Sequence, residues 1–456
     1  MIPTFKKGIA FLCIAGVLPL ASFSQDLAGL RTGNYAGVDG VFFNPANIAG
    51  SPYKWDVNLF SLNLLVGNDK ASYNFRDLTH SLNGDTLKQW IAGAKSGNTS
   101  AMMSLDLLGP SFMFNIGKKN AFAFTSRMRV MANTKRVDGK LLNQFISEDV
   151  GDPELPYHFS TSGDNLISVN AWTEFGASFG RVLVDQGPHY LKGGITLKYL
   201  AGAANGYLQM SQLQGTLDAD ATGVYLGQTT GTVGVGFGGA RIDDLKDGHP
   251  GGLNSSGFGG DLGFVYEFRP TRHGYLLRAG IALLDVGAIS YKQDASRSGA
   301  YTAHVTGAEH LYLDELGEVD NYNQFLQSHP QYFTPVPVGD GTNYSVSLPT
   351  TLHLDLDYHI LRGLYTNLSS QFSLAGNKPY NSSYYTAFTL TPRWESRHFG
   401  FYLPVNYNAL THFNAGFSAR IGPFFFGSGS VLSAVLKDSK QADFFMGFRF
   451  GGLRKS

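Results

Sequence analysis

The clearest alternation of apolar and polar residues in the chain runs through residues 111–130. Apolar side chains recur at alternate positions on both sides of a polar turn, at Phe112, Phe114, Ile116, Phe122, Phe124, Met128 and Val130. The opposite face carries Asn115, Thr125, Arg127 and Arg129. This period of two predicts an antiparallel hairpin with one apolar and one polar face. In a soluble sheet the apolar face covers a core, whereas in a membrane barrel it faces lipid.

Similar alternation recurs along the rest of the chain and predicts about fourteen strands, an even number being expected for a membrane barrel. Residues 54–66 alternate, slip by one position at Phe60 and then resume, which predicts a β-bulge. Besides these segments, the candidate strands are residues 166–184, 189–200, 206–213, 257–269, 275–291, 347–360, 364–374, 384–393, 400–407, 412–421, 424–432 and 443–450. Turn sequences at 185–188 and 270–274 predict two further hairpins.

The connections between these strands differ in length. Several have four to six residues, but those at 67–99, 134–165, 215–256 and 293–345 are long. Helical patterning occurs only in short pieces within them, at 86–94 and 140–146. Short turns at one end and long loops at the other are typical of outer-membrane barrels, in which the long loops are extracellular.

The N-terminus predicts export of the chain. Lys6 and Lys7 precede an apolar run at 8–20, and Ser22-Phe23-Ser24 forms a small-x-small cleavage site. We therefore expect a signal peptide at 1–24; a membrane anchor is the alternative. The single cysteine, Cys13, would leave with that peptide, so the mature chain is expected to hold no disulfide and no thiolate metal site.

Composition narrows the class of protein. Charged residues make up only 15%, against about 25% in ordinary soluble domains. Lysine plus arginine and aspartate plus glutamate both number 35, so nothing indicates a nucleic-acid partner. Aromatic residues reach 13%, and no apolar run after the signal is long enough for a spanning helix. An exported soluble β-sandwich is the competing class.

These observations predict an all-β protein: a single antiparallel outer-membrane β-barrel in contact with lipid, with a short N-terminal plug and long extracellular loops. The expected boundaries are a plug at 25–53 and a barrel at 54–456. The plug prediction comes from residues 34–50, which are rich in small residues and contain the turn-favouring Asn44-Pro45 step. Irregular backbone is tolerated at membrane depth only inside protein or a water-filled lumen.

The Phe43-Asn44-Pro45-Ala46 core resembles the start of the FadL-type outer-membrane transporters of hydrophobic compounds and of the PorV and PorP-type barrels of type IX secretion. The likeness is greatest to an uncharacterised Bacteroidota barrel family of that group, which residues 197–200, 283–291 and 420–428 also resemble. In FadL-type proteins the N-terminal plug gates a hydrophobic path. The resemblance therefore implies a gate at Asn44, Pro45, Ala46 and Asn47. The alternative is that these residues only order the plug against the barrel wall.

The polar faces provide candidates for bracing the lumen. Asp285 lies within an apolar strand and, if it faces inward, is expected to pair with Arg127, Arg129 or Arg278. A direct ligand role for Asp285 is the alternative. The nearby Gly287 predicts a bulge or a close contact with the plug.

Motifs that carry enzyme chemistry are weak in this chain. Residues 234–239 match GxGxxG, but no βαβ unit surrounds them, and the 12 histidines show no metal-ligand spacing. The sequence therefore predicts no enzyme, no cofactor and no metal site. Two functions stay open: passive transport of hydrophobic or amphipathic small molecules, and a non-transporting accessory role with secretion or gliding proteins.

Overall fold

The computed structural model describes residues 27, 29–74, 97–141, 155–161, 163–240, 255–271, 274–313, 322–337 and 343–454. The expected signal peptide and the helical pattern at 86–94 lie outside these residues, as does most of the pattern at 140–146. Within the described ranges, no helix is long and apolar enough to cross a membrane.

The described chain is mainly β-structure, with two 3-10 helices at Gly37–Phe42 and Pro45–Ile48 and two short α-helices, α1 Tyr322–Ser328 and α2 Val431–Leu436. The strands are β1 Tyr53–Asn68, β2 Asn98–Leu108, β3 Ser111–Ile116, β4 Asn120–Asp138, β5 Tyr157–Ser160, β6 Asp164–Gln186, β7 His189–Ala219, β8 Val224–Gly239, β9 Ser255–Phe268, β10 Leu277–Lys292, β11 Gly299–His304, β12 Leu311–Tyr312, β13 Phe333–Pro335, β14 Asn343–Ser347, β15 Thr351–Leu361, β16 Leu364–Ser373, β17 Ala387–Glu395, β18 Phe399–Tyr402, β19 Val405–Asn408, β20 His412–Ala415, β21 Phe417–Ile421, β22 Phe424–Ser428 and β23 Gln441–Leu453.

All of these strands except β5, β8, β11, β12 and β13 form a closed antiparallel barrel of 14 strands. Closure is made by β1 and β23, which pair from Tyr53 with Leu453 to Gly67 with Gln441. Successive strands pair around the ring, and four positions in it are filled by two segments each: β2 with β3, β14 with β15, β18 with β19, and β20 with β21. The sequence-based prediction of an all-β barrel of about fourteen strands is therefore confirmed.

The two faces of the barrel differ as the alternation predicts. Phe112, Phe124 and Met128 are exposed on the outside, whereas Arg127 and Arg129, at alternate positions of β4, are buried inside. The same outward exposure of large apolar side chains recurs around the ring, at Phe175, Leu197, Phe264, Ile281, Leu356, Leu390, Phe401 and Phe444. An apolar exterior around a polar interior is the arrangement of a barrel whose wall contacts hydrocarbon.

The bulge expected at Phe60 is confirmed. The register of β1 against β23 shifts between Asn58 and Phe60, so Leu59 is the extra residue. The shift keeps the apolar side chains on the outer face on both sides of the bulge, because adding one residue to a period of two would otherwise exchange the faces. Leu59 and Phe60 are both exposed.

Several strand boundaries predicted from the sequence were wrong. Residues 206–213 are no separate strand but part of β7, which runs without a break for 31 residues. The segment 424–432 ends as a strand at Ser428 and α2 begins at Val431. Segments 400–407 and 412–421 are each interrupted, the first next to Pro404, which has no backbone N–H to continue the ladder.

Three predicted loops contain secondary structure. The connection at 134–165 includes β5, that at 215–256 includes β8, and that at 293–345 includes β11, β12, β13 and α1. The sequence signal was weak because β8 has glycine at 227, 231, 234, 236, 238 and 239, which leaves few side chains to alternate.

These elements form an outer lobe, which we define as β5, β8, β11, β12, β13, α1 and the second half of β7. There β8 pairs with β7 on one side and with β11 and β12 on the other. The lobe has its own apolar core, which includes Leu213, Leu226, Val305, Phe325 and Phe333. It stands at the end of the barrel that carries the long connections.

The outward orientation of Phe124 gives a direct test of the lipid face. Phe124→Arg puts a charge where the wall meets hydrocarbon, and we expect the free energy of unfolding to fall by about 2–4 kcal/mol. Phe124→Leu is the matched control because it keeps the face apolar. Urea unfolding in phospholipid vesicles measures both variants; equal stability of the two would contradict the orientation.

Candidate functional site in the barrel lumen

The N-terminal segment, defined as residues 29–52, lies inside the barrel at the end with the short turns. Its two 3-10 helices contact β6, β7, β9, β1, β3 and β4. Val38, Ala46 and Ile48 are fully buried, and Leu30 packs against Tyr402 and other inward aromatic residues. The irregular backbone is thus enclosed by protein on its outer side, as a segment at membrane depth requires.

Asn44 anchors this segment to the barrel wall. Its side-chain Oδ1 accepts the N–H of Ala46 at 3.0 Å, and its Nδ2 donates to the carbonyls of Phe264 and Ile281, both at 3.1 Å. Asn44 therefore caps the helix that begins at Pro45 and also binds the backbone of β9 and β10. Asparagine at the cap and proline at the first helical position both favour this local structure.

A row of three glycines provides the space into which the segment docks. Gly180, Gly194 and Gly263 are direct cross-strand partners on β6, β7 and β9. A Cβ at Gly194 would lie 2.4 Å from the backbone nitrogen of Ala46, and one at Gly263 would lie 2.2 Å from Oδ1 of Asn44. Because the wall has no side chains along this row, backbone and segment can approach closely.

The four residues predicted as a gate therefore all lie at this docking surface or next to it. Asn44, Pro45 and Ala46 contact the glycine row, whereas Asn47 donates to the carbonyl of Gly40 at 3.3 Å within the segment. The geometry shows how they hold the segment against the wall.

A layer of buried charged residues crosses the lumen on the side of the N-terminal segment that faces the long connections. We call it the ionic layer. It consists of Asp106, Arg127, Arg129, Glu174, Lys198, Asp261 and Asp285. Arg129 Nη1 lies 2.8 Å from Asp285 Oδ2, and Arg127 Nη2 lies 2.5 Å from Glu174 Oε1. Lys198 Nζ bridges Asp285 at 2.5 Å and Asp261 at 2.7 Å. Buried charges persist only when paired in this way.

A bulge in β10 turns Asp285 into this layer. The register of β10 against β9 shifts between Leu283 and Val286, and Asp285 has a φ of 57°. Its backbone N–H donates to Asp261 Oδ1 at 2.8 Å. Aspartate tolerates positive φ better than most residues. Gly287 lies beyond the bulge, and a Cβ there would meet the carbonyl of Phe258, so its close contact is with β9 and not with the N-terminal segment.

The pairing predicted for Asp285 is thus found with Arg129 and Arg127, the latter at 3.8 Å, but not with Arg278. Arg278 lies near the short turns, where its Nη2 is 2.6 Å from Asp357 Oδ2 and donates to the carbonyl of Thr32. The sequence could not separate these arginines, because the position of a charge along the lumen depends on strand register.

The N-terminal segment covers the ionic layer on the side of the short turns. The ring of Phe42 lies under the guanidinium of Arg127, at 4.6 Å between the guanidinium carbon and the ring centroid. Such a contact is a cation–π interaction. Arg449 on β23 also binds the segment: its Nε lies 3.3 Å from Asp39 Oδ2, and its Nη2 donates to the carbonyl of Tyr35 at 2.6 Å. Its Nη1 lies 3.2 Å from Asp56 Oδ2 on the neighbouring strand β1.

The lumen cavities lie at separate levels. A polar cavity of about 260 Å³ lies between the segment and the wall, beside Asn34, Lys192, Glu267 and Glu395. A cavity of only about 30 Å³ lies within the ionic layer. An engineered cavity of about 150 Å³ binds benzene, so the second space is far too small for an organic molecule.

Sequence reasoning missed four members of the ionic layer: Asp106, Glu174, Lys198 and Asp261. The signal that identified Asp285, a charge on an inward position of an amphipathic strand, applies to them as well. Arg127 and Glu174 are even direct cross-strand partners, as are Arg129 and Asp106. No group of histidine, cysteine, aspartate and glutamate in the described part of the chain has a metal-binding arrangement.

The chain belongs to a family of unknown function, DUF5723, whose profile matches residues 45–429. No curated protein sequence matches it.

Among solved structures it is similar to the Ralstonia pickettii toluene transporter TbuX (12% identity, TM-score 0.41, covering 92% of this chain and 94% of that one) and to a Pseudomonas aeruginosa FadL homologue (11%, 0.43, 92% and 94%). It is also similar to the P. putida toluene transporter TodX (9%, 0.40, 92% and 95%). At such low scores, the barrel is established by the strand pairing described above.

The glycine row predicts that a single added methyl group displaces the N-terminal segment. Gly194→Ala must displace the N-terminal segment, because its Cβ would overlap the backbone of Pro45 and Ala46. We expect trypsin to cut after the buried Arg31 about tenfold faster than in the parent. Gly193→Ala is the control, since its Cβ meets only the side chains of Leu183 and Phe264. Equal protection of Arg31 in both variants would contradict the docking.

The ionic layer predicts a loss of stability on removal of one charge. Asp285→Asn keeps a residue that tolerates the positive φ, but removes the carboxylate that three cations share. We expect the free energy of unfolding to fall by about 3 kcal/mol, as when a buried pair loses one partner. The exposed Asp220→Asn is the control and should change little. Urea unfolding followed by tryptophan fluorescence measures both.

Proposed function

We propose that this protein resides in the outer membrane and passively transports a hydrophobic or amphipathic small molecule across it. The closed barrel with its apolar exterior supports the location. The N-terminal segment supports a gate, because it fills the lumen and is attached to the wall by non-covalent contacts that can be released. No catalytic step is part of the proposal.

The observation that carries the proposal is an apolar cavity in the outer lobe. It has a volume of about 60 Å³ and lies in the outer lobe, which we place on the extracellular side because the long connections are there. Its lining is apolar except for Thr229 and the hydroxyl of Tyr322, and includes Leu208, Met210, Leu213, Leu226, Val233, Ala303, Val305, Leu311, Leu313, Phe325, Leu326 and Phe333. Sites of this composition bind apolar ligands.

The size of the cavity limits what it holds in this conformation. An engineered cavity of about 150 Å³ binds benzene, so a space of about 60 Å³ must widen to accept a comparable molecule. The short helix α1 contributes Tyr322, Phe325 and Leu326 to the lining. We expect displacement of α1 to provide that room, because it is a helix of only about two turns that is packed on the lobe by these side chains.

A second candidate function is an accessory barrel that binds secretion or gliding proteins without transporting anything. The ionic layer favours it, because a hydrophobic molecule moving straight along the lumen would have to separate buried ion pairs such as Arg129–Asp285. Co-purification of a stoichiometric protein partner from native membranes, together with no uptake by vesicles, would support this function over transport.

Uptake of a hydrophobic fluorescent probe into vesicles that contain the purified protein tests transport. Ala303→Leu fills the apolar cavity, and we expect uptake to fall about tenfold at low probe concentration. Thr302→Leu is the matched control, since Thr302 is the exposed neighbour on the same strand. Uptake by the parent no faster than by empty vesicles would overturn the proposal; full uptake by Ala303→Leu would remove the cavity from the path.

A further inference from the structure

The loop between β16 and β17, residues 374–386, does not stay at the rim of the barrel; we call it the inward loop. Its tip at Gly376, Asn377 and Lys378 is exposed, but Asn381, Ser382 and Ser383 that follow are buried inside the lumen. The strand predicted at 384–393 therefore begins only at Ala387. Tyr384 and Tyr385 belong to the loop.

The inward loop crosses the whole lumen. The backbone of Ser383 forms two hydrogen bonds with the side chain of Asn133: the Asn133 amide donates to its carbonyl at 3.0 Å and accepts its N–H at 3.1 Å. Asn133 is on β4, which lies on the side of the 14-stranded ring opposite β17. The loop thus leaves one wall and is bound by the facing wall.

Two more asparagines on the facing wall bind the same loop. Asn170 on β6 donates to Ser382 Oγ at 2.6 Å and to the carbonyl of Tyr380 at 3.1 Å. Asn205 on β7, the cross-strand partner of Asn170, also donates to that carbonyl at 3.1 Å. We call Asn133, Asn170 and Asn205 the asparagine clamp. All three are buried, so their amides depend on these partners for hydrogen bonding.

The end of the loop also touches the ionic layer. Arg129 donates from Nη2 to the hydroxyl of Tyr384 at 2.8 Å, and its guanidinium carbon lies 5.6 Å from the centre of the Tyr384 ring. Arg129 is therefore covered by Tyr384 from the outer side, while Phe42 of the N-terminal segment covers its neighbour Arg127 from the other.

We propose that the inward loop is a second closure of the lumen, held shut by the asparagine clamp and acting in series with the N-terminal segment. The clamp binds mainly backbone atoms of the loop, so it recognises the loop's path and not its side chains. Passage through the lumen then requires both closures to move. The proposal rests on the outer-membrane placement proposed above, but not on what is transported.

The test measures access to a lumen thiol from outside the cell. In a Cys13→Ser background, Gln371→Cys places the thiol beneath the loop, beside Tyr384. A maleimide attached to polyethylene glycol, which does not cross the outer membrane, is added to intact cells. We expect slow labelling of this parent, and labelling at least about tenfold faster after Asn133→Ala with Asn170→Ala, because the loop loses its attachment to the facing wall.

Asn367→Ala is the matched control: Asn367 is a buried inward asparagine of β16 whose amide has no hydrogen bond to the loop. Its labelling should equal that of the parent. Heat-dependent gel migration verifies that each barrel is folded. If the double variant does not fold, Asn170→Ala alone is measured and judged by the same criterion.

Labelling of the folded clamp variant within twofold of the parent would overturn the second closure, as would rapid labelling of the parent itself. Because the readout is a reaction with a fixed thiol, it does not depend on uptake of a hydrophobic probe. Failure of transport in vesicles and failure of the second closure are therefore separate results.

Discussion

The structure depends on the pairing of β1 with β23, which closes the sheet into a ring. In hydrocarbon no water is available for an unpaired strand edge, so every backbone N–H and C=O of the wall needs a partner within the protein. Closure meets this requirement. It also creates an interior that the wall cannot fill by itself, since 14 strands enclose more space than their inward side chains occupy.

That interior is filled from both ends. The N-terminal segment enters at the end with short turns and docks on the glycine row, and the inward loop enters at the end with long connections and is bound by the asparagine clamp. Between them lies the ionic layer, whose Arg127 contacts Phe42 of the segment and whose Arg129 contacts Tyr384 of the loop. Both closures therefore contact successive inward-facing residues of β4.

The alternation of side chains predicted the strands well wherever one face is apolar and the other polar, as along β4. It was weak where side chains are missing or where a proline interrupts the hydrogen-bond ladder. The glycines of β8 show the first case, and the interrupted strands near Pro404 show the second kind of local exception. The Asn44-Pro45 step was read correctly as a turn-rich piece, because capping by Asn44 is a local interaction.

The sequence by itself determined the strand count to within the uncertainty of short segments, the outward and inward faces, and the bulge at Phe60, since all follow from the period of two along a strand. It placed Asp285 among candidate partners without choosing between them. Only the tertiary structure decided that Asp285 pairs with Arg129 and not Arg278, that three glycines align across β6, β7 and β9, and that the inward loop reaches Asn133. Each of these depends on strand register and on ring closure, which bring together residues far apart in the chain.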